Sequence, residues 1–292
     1  MLTVEQASAW LQERRGSFPP DLTAMRRGLD AAGAAPTAAG VAFRAIDANG
    51  VSAELHEPAD DSAGTGALLY LHGGGFVAGC PTSHRPLASR IAAQSGRLLL
   101  LPDYRLAPEV RYPASLEDAA AAWAFLIDQG TSPRKMAVIG DSAGGGLAVA
   151  LVQRLLERNE ATPAALVLLS PWLDVSVSGR RAKELEARDP TITIPLLRWL
   201  GERMQSEAAA SRFAPLEHAF AGFPPTLIQV GSDEVLLEDS ERLASKLRAA
   251  GCAVDLEVAA GLFHVYQAFA PRLAEADAAI ERIGAFLTLT LA

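Results

Sequence analysis

Cysteine is scarce in this sequence: Cys80 and Cys252 are the only two, and they lie far apart. A disulfide-stapled scaffold has more cysteines at closer spacing, so we expect two free thiols. No group of His, Cys and carboxylate residues has metal-ligand spacing, and no Gly-x-Gly-x-x-Gly opens the first strand–helix unit. We therefore expect neither a metal nor a cofactor.

Long apolar runs and an excess of basic residues are also missing. The longest stretch without a charged residue, 62–84, holds six glycines and two histidines, which a membrane span would not tolerate. The N-terminus lacks the apolar segment of a secretory signal. The net charge of −8, from 26 Lys and Arg against 34 Asp and Glu, argues against nucleic-acid binding. We expect a cytoplasmic protein with no nucleic-acid partner and no stable membrane association.

Short apolar segments alternate with longer amphipathic ones along most of the chain. This alternation is typical of an α/β protein with a mostly parallel sheet covered by helices on both faces. Asn49-Gly50 separates the first two segments and predicts a β-hairpin, hence an antiparallel edge. The predicted strands are Val41–Asp47, Val51–His56, Ala67–Leu71, Arg97–Leu101, Met136–Ile139, Ala165–Leu169, Thr226–Val230 and Val254–Val258. Helices are predicted near 84–94, 115–129, 144–158, 237–250 and 273–289.

Two stretches do not fit the alternation. Residues 1–38 precede the first strand and have helical periodicity. Residues 170–225 are far longer than a crossover helix needs, and Pro195 could open a helix within them. An excursion from the C-terminal end of a strand overhangs the crevice in which open α/β sheets bind ligands. A helical ornament elsewhere on the surface is the alternative reading.

The segment from Met136 to Leu151 contains a candidate nucleophile. A strand runs into Gly140-Asp141-Ser142-Ala143-Gly144, and a helical pattern follows. This strand, Gly-x-Ser-x-Gly and helix order is the context of a nucleophile elbow, where glycines leave room for a sharp turn that exposes the serine hydroxyl. The alternative is an ordinary glycine-rich turn around a surface serine. The context favours Ser142 as a nucleophile.

A serine nucleophile needs a base, and the base needs an orienting acid. In an elbow fold the chain order is serine, acid, histidine, and among the five histidines only His264 follows a plausible acid beyond Ser142. His264 lies in the loop after the strand Val254–Val258, where the base is expected.

Four carboxylates compete for the role of the acid. Asp233 follows the strand Thr226–Val230 directly and is our choice, with Glu234 as the next candidate. Glu238 and Asp239 fall in the next predicted helix, where we expect them to face solvent or to support its first turn.

The loop His72-Gly73-Gly74-Gly75 follows the strand Ala67–Leu71. Backbone N–H groups with no side chains in the way can surround an oxyanion. Gly74 and Gly75, together with the N–H of Ala143 in the elbow, supply three such donors. We expect His72 to hold the loop by hydrogen bonds rather than to act as a base.

At these residues the chain resembles the hormone-sensitive-lipase branch of the α/β-hydrolases, the bacterial family IV esterases. The likeness rests on His72–Gly75, Gly140–Gly145 and Asp103–Glu109, and it covers roughly residues 40–290 in order. It implies an α/β-hydrolase fold with an eight-stranded sheet and a helical cap, a Ser142–Asp233–His264 triad, and oxyanion donors at Gly74, Gly75 and Ala143. Two positions depart from the family pattern: Asp233-Glu234-Val235 replaces the frequent Asp-Pro-Leu, and Val265 follows His264.

The resemblance implies a carboxylesterase that hydrolyses short- to medium-chain acyl esters without a cofactor. The expected organisation is N-terminal cap helices in 1–38 and a catalytic domain in 39–292, with a cap insertion at about 176–216. Lactone or acetyl-amide hydrolysis by the same groups and a non-catalytic ligand-binding role are the alternatives. The predicted partner is a small-molecule ester, and a homo-oligomer is compatible with the sequence. Candidates for limiting the length of the acyl chain are Trp199, Leu200 and Met204.

Overall fold

The computed structural model describes residues 1–59, 66–205 and 212–292. Its eight strands form one sheet in the order β1-β2-β4-β3-β5-β6-β7-β8. The strands are β1 (Val41–Asp47), β2 (Ser52–Pro58), β3 (Ala67–Leu71), β4 (Leu98–Pro102), β5 (Met136–Asp141), β6 (Ala165–Leu169), β7 (Thr226–Gly231) and β8 (Val254–Ala259). The predicted fold class, a mostly parallel eight-stranded sheet, is confirmed.

The hairpin prediction is also confirmed. β1 pairs with β2 in antiparallel register, with Asp47 opposite Ser52. Asn49 and Gly50 both have positive φ, of 56° and 87°, as a two-residue turn of this kind requires. β2 also pairs antiparallel with β4, and the pairs from β4 to β8 are parallel.

Helices cover both faces of the sheet. The helices are α1 (Val4–Glu13), α2 (Leu22–Ala32), α3 (Pro81–Ser95), α4 (Ala114–Asp128), α5 (Ala143–Glu157), α6 (Ala182–Glu186), α7 (Ile194–Met204), α8 (Leu237–Ala249) and α9 (Ala274–Thr290). Leu69 and Leu71 of β3 pack in the core with α4, α5 and α8, whereas Leu68 and Tyr70 pack with α3 and α9 on the other face. The alternation of side chains along a strand thus builds two apolar layers.

The two N-terminal helices pack onto the rest of the α/β fold at two places. Ala7 of α1 is buried in the layer of α3 and α9. On α2, the Arg26 guanidinium donates to the carbonyl oxygens of Val77 and Ala107 and to both carboxylate oxygens of Glu109. The second of these helices is therefore held directly against the glycine-rich loop after β3.

The long segment between β6 and β7 contains α6 and α7, and α7 begins one residue before Pro195, as expected. Residues 206–211 of the predicted cap insertion lie outside the described residues. The boundaries at 38 and at about 176–216, and the cytoplasmic location, stay predictions. Over the residues described, no helix is long and apolar enough to span a membrane.

Glu238 and Asp239 lie in the first turn of α8, as expected, but the expectation that they face solvent is wrong for Asp239. Asp239 is buried, and its Oδ2 accepts hydrogen bonds from the backbone N–H groups of Leu173 at 2.8 Å and Asp174 at 2.9 Å. Glu238 accepts from the backbone N–H groups of Arg180 and Arg181. Both carboxylates therefore fasten the start of the long insertion to α8, because they accept hydrogen bonds from its backbone N–H groups.

Burial raises the pKa of Asp239 to about 7, although the two backbone N–H donors oppose this shift. Between about pH 4 and pH 7 the folded protein holds a proton that the unfolded chain has lost, so stability falls as the pH rises. We expect Asp239→Asn, which keeps an acceptor for both N–H groups, to flatten this dependence. The slope removed is on the order of 1 kcal/mol per pH unit.

Urea unfolding of wild type and Asp239→Asn at pH 5 and pH 8 measures this difference. The variant should lose less stability than wild type between the two pH values. Equal losses in both proteins would show that Asp239 is ionised throughout.

Candidate active site

Ser142 occupies a strained turn between β5 and α5. Its φ of 52° and ψ of −119° are rarely adopted by a non-glycine residue. The turn is held by its own backbone: the Ser142 N–H donates to the Leu169 carbonyl at 2.8 Å, and its carbonyl accepts from the N–H groups of Trp172 and Gly146. These bonds fix the serine at the C-terminal edge of the sheet.

Close backbone contacts explain the glycine that follows. A Cβ at Gly144 would collide with the carbonyl oxygens of Leu71 and His72. The first turn of α5 therefore lies directly against the loop after β3, which a side chain would prevent. The two segments that the sequence assigns to the elbow and to the oxyanion loop are thus in contact.

The structure brings His264 to Ser142. Its Nε2 lies 2.9 Å from the Ser142 Oγ, and its Nδ1 lies 2.7 Å from Oε2 of Glu234. The Nδ1 donates to the carboxylate, so Nε2 is left as an acceptor for the serine hydroxyl. The side chain of His264 is 11% exposed and that of Glu234 is fully buried.

Asp233, our choice from the sequence, does not contact His264. Its carboxylate accepts from the Ser232 hydroxyl and lies 3.5 Å from the Arg188 guanidinium. The Asp233 N–H donates to the Leu262 carbonyl, which fixes the turn so that the following side chain, not this one, points inward. The choice of Asp233 is therefore corrected to Glu234.

Three further hydrogen bonds hold this carboxylate and the histidine loop. Glu234 Oε1 accepts from the Gly231 N–H at 2.6 Å and from the Ser170 hydroxyl at 2.8 Å. The same hydroxyl oxygen accepts from the Val265 N–H at 3.1 Å. Ser170, at the end of β6, was missed in the sequence analysis. Its position directly after a buried strand is the one signal that could have pointed to it.

The electrostatics of His264 follow from its neighbours. Burial alone would lower the pKa of its imidazole. The hydrogen bond and charge of Glu234, with the nearby charges of Asp189 and Asp141, outweigh this effect and raise the pKa above its ordinary value. The charged imidazolium is therefore stabilised in place.

The glycine-rich loop is held from behind by a buried polar cluster. Asp141 Oδ1 accepts from the Tyr70 hydroxyl at 2.8 Å and from the Gly73 N–H at 2.9 Å. The Tyr104 hydroxyl donates to the His72 carbonyl at 2.6 Å, and its ring stacks on the imidazole of His72. These contacts leave the loop little freedom.

His72 itself is fully buried, and its Nδ1 lies 2.8 Å from the Gly73 carbonyl oxygen. Burial, with a smaller effect of His84, lowers its pKa to about 3. It is therefore neutral at ordinary pH. The expectation that it holds the loop is confirmed.

The N–H groups of Gly74, Gly75 and Ala143 have no acceptor among the residues that the structure describes. Gly74 has a φ of +111°, and a Cβ there would collide with the Ala78 carbonyl. The loop conformation therefore needs glycine at this position. Unpaired N–H groups in the elbow and in the loop that packs against it are donors of the kind that can bind an anion.

One side chain of α7 covers this loop. A Cβ at Gly75 would lie 2.7 Å from Cδ1 of Leu200, which is itself buried. The Arg203 guanidinium lies over the ring of Trp199, with its central carbon 3.6 Å from the ring centroid. The Met204 carbonyl accepts a hydrogen bond from the Tyr112 N–H. Of the three residues predicted to limit the substrate, Leu200 is the one seen against the glycine loop.

No set of three or more His, Cys, Asp or Glu side chains in residues 1–59, 66–205 and 212–292 is arranged to hold a metal ion. The arrangement of a histidine between a serine hydroxyl and a buried carboxylate, beside free N–H donors, can activate the hydroxyl for attack on a carbonyl carbon.

Comparison with known proteins identifies the family of the chain. Residues 68–268 match the family model of the α/β-hydrolase fold. The chain is 40% identical over 238 residues to an acetyl-hydrolase of Streptomyces hygroscopicus, covering 81% of this chain and 79% of that protein. It is 34% identical over 230 residues to an ethyl acetate hydrolase of Pseudomonas putida, covering 75% of this chain and 72% of that protein. A crystal structure of an esterase from the bacterial hormone-sensitive lipase family superposes with a TM-score of 0.93 at 36% identity, and both chains are covered fully.

The contact of His264 with Glu234 predicts how the imidazole titrates. We expect Glu234→Gln to lower the pKa of His264, because the variant removes the negative charge on its Nδ1 side. Asp233→Asn, one residue earlier, is the matched control and should leave the titration as in wild type. An NMR titration of the His264 ring measures both. If the pKa of His264 fell in Asp233→Asn and not in Glu234→Gln, the original choice of Asp233 as the acid would be restored.

Proposed function

Because the chain belongs to the α/β-hydrolases, in the branch of the bacterial hormone-sensitive-lipase esterases, and is a carboxylic ester hydrolase, we propose that it uses Ser142, His264 and Glu234 as a catalytic triad. The substrates are short- to medium-chain acyl esters, and the reaction passes through an acyl-enzyme on Ser142. The observation that carries the proposal is the chain of two hydrogen bonds from the serine hydroxyl through His264 to the buried Glu234.

In the first half of the reaction, His264 Nε2 accepts the Ser142 proton while Oγ attacks the ester carbonyl carbon. The carbonyl oxygen becomes an oxyanion, which the N–H groups of Gly74, Gly75 and Ala143 bind. Glu234 keeps the imidazole in the tautomer with its proton on Nδ1 and stabilises the imidazolium. The intermediate then collapses to the acyl-enzyme, and the alcohol leaves with the proton from Nε2.

In the second half, a water molecule replaces the alcohol. His264 Nε2 accepts a proton from the water as its oxygen attacks the acyl carbon, and the same three N–H groups bind the second oxyanion. Ser142 then leaves as an alkoxide and takes the proton back from His264. The carboxylic acid is released, and no other group changes its protonation.

The short acyl preference has two supports. Two of the curated relatives are named an acetyl-hydrolase and an ethyl acetate hydrolase. In this chain the isobutyl side chain of Leu200 lies directly against the loop that would bind the oxyanion, so the space beside the reacting carbon is limited.

The triad assignment predicts the effect of single substitutions. Ser142→Ala and His264→Ala should each lower kcat by roughly 10⁴ or more, because the groups act as a unit. Glu234→Gln should lower kcat by about 10³ to 10⁴, since the amide favours the wrong tautomer of His264. Asp233→Asn should stay near wild type. Hydrolysis of nitrophenyl acetate by folded, purified variants is the measurement.

A fluorophosphonate should also add to Ser142 and to no other residue, which intact-protein and peptide mass spectrometry would show. Near wild-type turnover by Ser142→Ala would overturn the proposal. If kcat fell as far in Asp233→Asn as in Glu234→Gln, the assignment of Glu234 as the acid would be contradicted.

The position of Leu200 predicts the chain-length profile. In wild type, kcat/KM on nitrophenyl esters should peak between acetate and octanoate, because each CH₂ buried adds about 0.8 kcal/mol until the pocket ends. Leu200→Ala opens space beside Gly75 and should move the peak by about two carbons or more toward longer chains. Trp199→Ala, on the same helix, is the comparison and should leave the peak in place. A shift in Trp199→Ala alone would assign the limit to that ring, and a rate rising through palmitate would contradict the esterase preference.

A further inference from the structure

We infer that Asp189, a buried carboxylate of the segment between β6 and β7, is a positioning residue for the triad: it ties this segment to the loop of Glu234 and places a second negative charge near His264. This inference rests on the proposed function, because it names how the triad is held. Asp189 contacts no reacting atom.

The contacts of Asp189 divide between its two oxygens. Oδ2 accepts from the backbone N–H of Val235 at 2.9 Å, the peptide group that directly follows Glu234. Oδ1 accepts from the N–H and the hydroxyl of Thr191, at 2.8 and 3.0 Å, and from the N–H of Ile192 at 2.8 Å. The carboxylate of Asp189 therefore fixes both the loop that contains Glu234 and the two residues that precede the N-cap of α7.

The consequence is a link between two parts of the site. α7 begins two residues after Ile192 and carries Leu200, which packs against Gly75 of the oxyanion loop. The Glu234 side chain is bonded to Gly231 and Ser170 of the sheet. Through Asp189, the helix over the oxyanion loop and the acid of the triad share one anchor.

The carboxylate of Asp189 lies in a buried environment. The residue is 2% exposed, and no Lys or Arg of the described residues forms an ion pair with it. Its neighbour Arg188 pairs with Asp233 and Glu184 instead. Burial raises the pKa of Asp189, opposed first by the charge of His264 and then by the backbone donors. A positive charge on His264 would favour the ionised form of this carboxylate, and the carboxylate in turn favours the charged form of the imidazole.

Three carboxylates act on His264, each from a different element. Glu234 comes from the loop after β7, Asp189 from the segment before α7, and Asp141 from the end of β5. Glu234 bonds to the ring, and Asp141 is bonded to Tyr70 and Gly73 and lies near His84. Asp189 acts at longer range, and its charge favours the imidazolium that forms when Ser142 attacks.

Asp189→Asn tests the inference, because it keeps the size of the side chain and removes the charge. The amide can accept at one position only, so the bond to Thr191 and Ile192 or the bond to Val235 is lost. We expect kcat on nitrophenyl acetate to fall about 10- to 100-fold with KM changed less than about threefold, because the substitution removes no backbone N–H donor and no apolar side chain beside the glycine-rich loop. The acid limb of the kcat/KM profile should move down by about one pH unit, with the pKa of His264.

Asp239→Asn is the matched control. Asp239 is another buried aspartate that accepts two backbone N–H groups of the long insertion, at Leu173 and Asp174, and it is not among the charges that act on His264. Its kcat and its acid limb should match those of wild type. If Asp189→Asn does not fold, Asp189→Ser replaces it, since a serine hydroxyl can still accept from nearby N–H groups of the turn.

An NMR titration of His264 in the resting protein gives a readout that needs no turnover. A lowered pKa of His264 in Asp189→Asn, or in Asp189→Ser, supports the inference even if Ser142→Ala were to overturn the proposed function. An unchanged His264 titration would overturn the inference, and any loss of kcat would then reflect a structural role alone. A loss of kcat in Asp239→Asn equal to that in Asp189→Asn would overturn the inference as well.

Discussion

The hydrogen bond from the Ser142 N–H to the Leu169 carbonyl joins the end of β5 to the end of β6, and the geometry of the site depends on it. It holds a non-glycine residue at a positive φ, so the strain of the elbow is offset by backbone pairing within the sheet. The next residue of β6, Ser170, then bonds both to Glu234 and to the loop of His264. Parallel strands whose C-terminal ends lie side by side thus bring three distant segments into one site.

The buried carboxylates around the site are held by several hydrogen bonds each, and this pairing makes their arrangement rigid. Asp141 accepts from a tyrosine hydroxyl and a glycine N–H, and Glu234 accepts from a serine hydroxyl and a glycine N–H besides binding His264. A buried polar group that loses its partner costs about 1–3 kcal/mol. The network therefore disfavours movement of Ser142, His264, Glu234 or the glycine-rich loop. The proposed mechanism needs this rigidity to stabilise a transition state without reorganisation.

Most of the framework could be predicted from the sequence because it depends on local patterns. The eight strands lie within two residues of the predicted bounds, and the Asn49-Gly50 turn was recognised from its residue types. Ser142 and His264 followed from chain order and from their positions after buried strands. The acid could not be chosen in this way, because Asp233 and Glu234 are consecutive and both follow β7. The contacts of Asp239 could not be predicted from local sequence either, because its partners, the N–H groups of Leu173 and Asp174, lie more than sixty residues away.

The sequence by itself determined the α/β class, the strand order along the chain, the nucleophile elbow and the glycine loop. Each of these depends on short-range periodicity or on residues with special backbone requirements. Only the tertiary structure decided which carboxylate meets His264, since the bond of the Asp233 N–H to the Leu262 carbonyl turns Asp233 outward and Glu234 inward. It also decided that Ser170 bonds to Glu234, that Asp189 accepts from the N–H of Val235, and that Leu200 packs against Gly75. These contacts join residues separated by tens of positions, and their geometry depends on how the sheet and the insertion pack together.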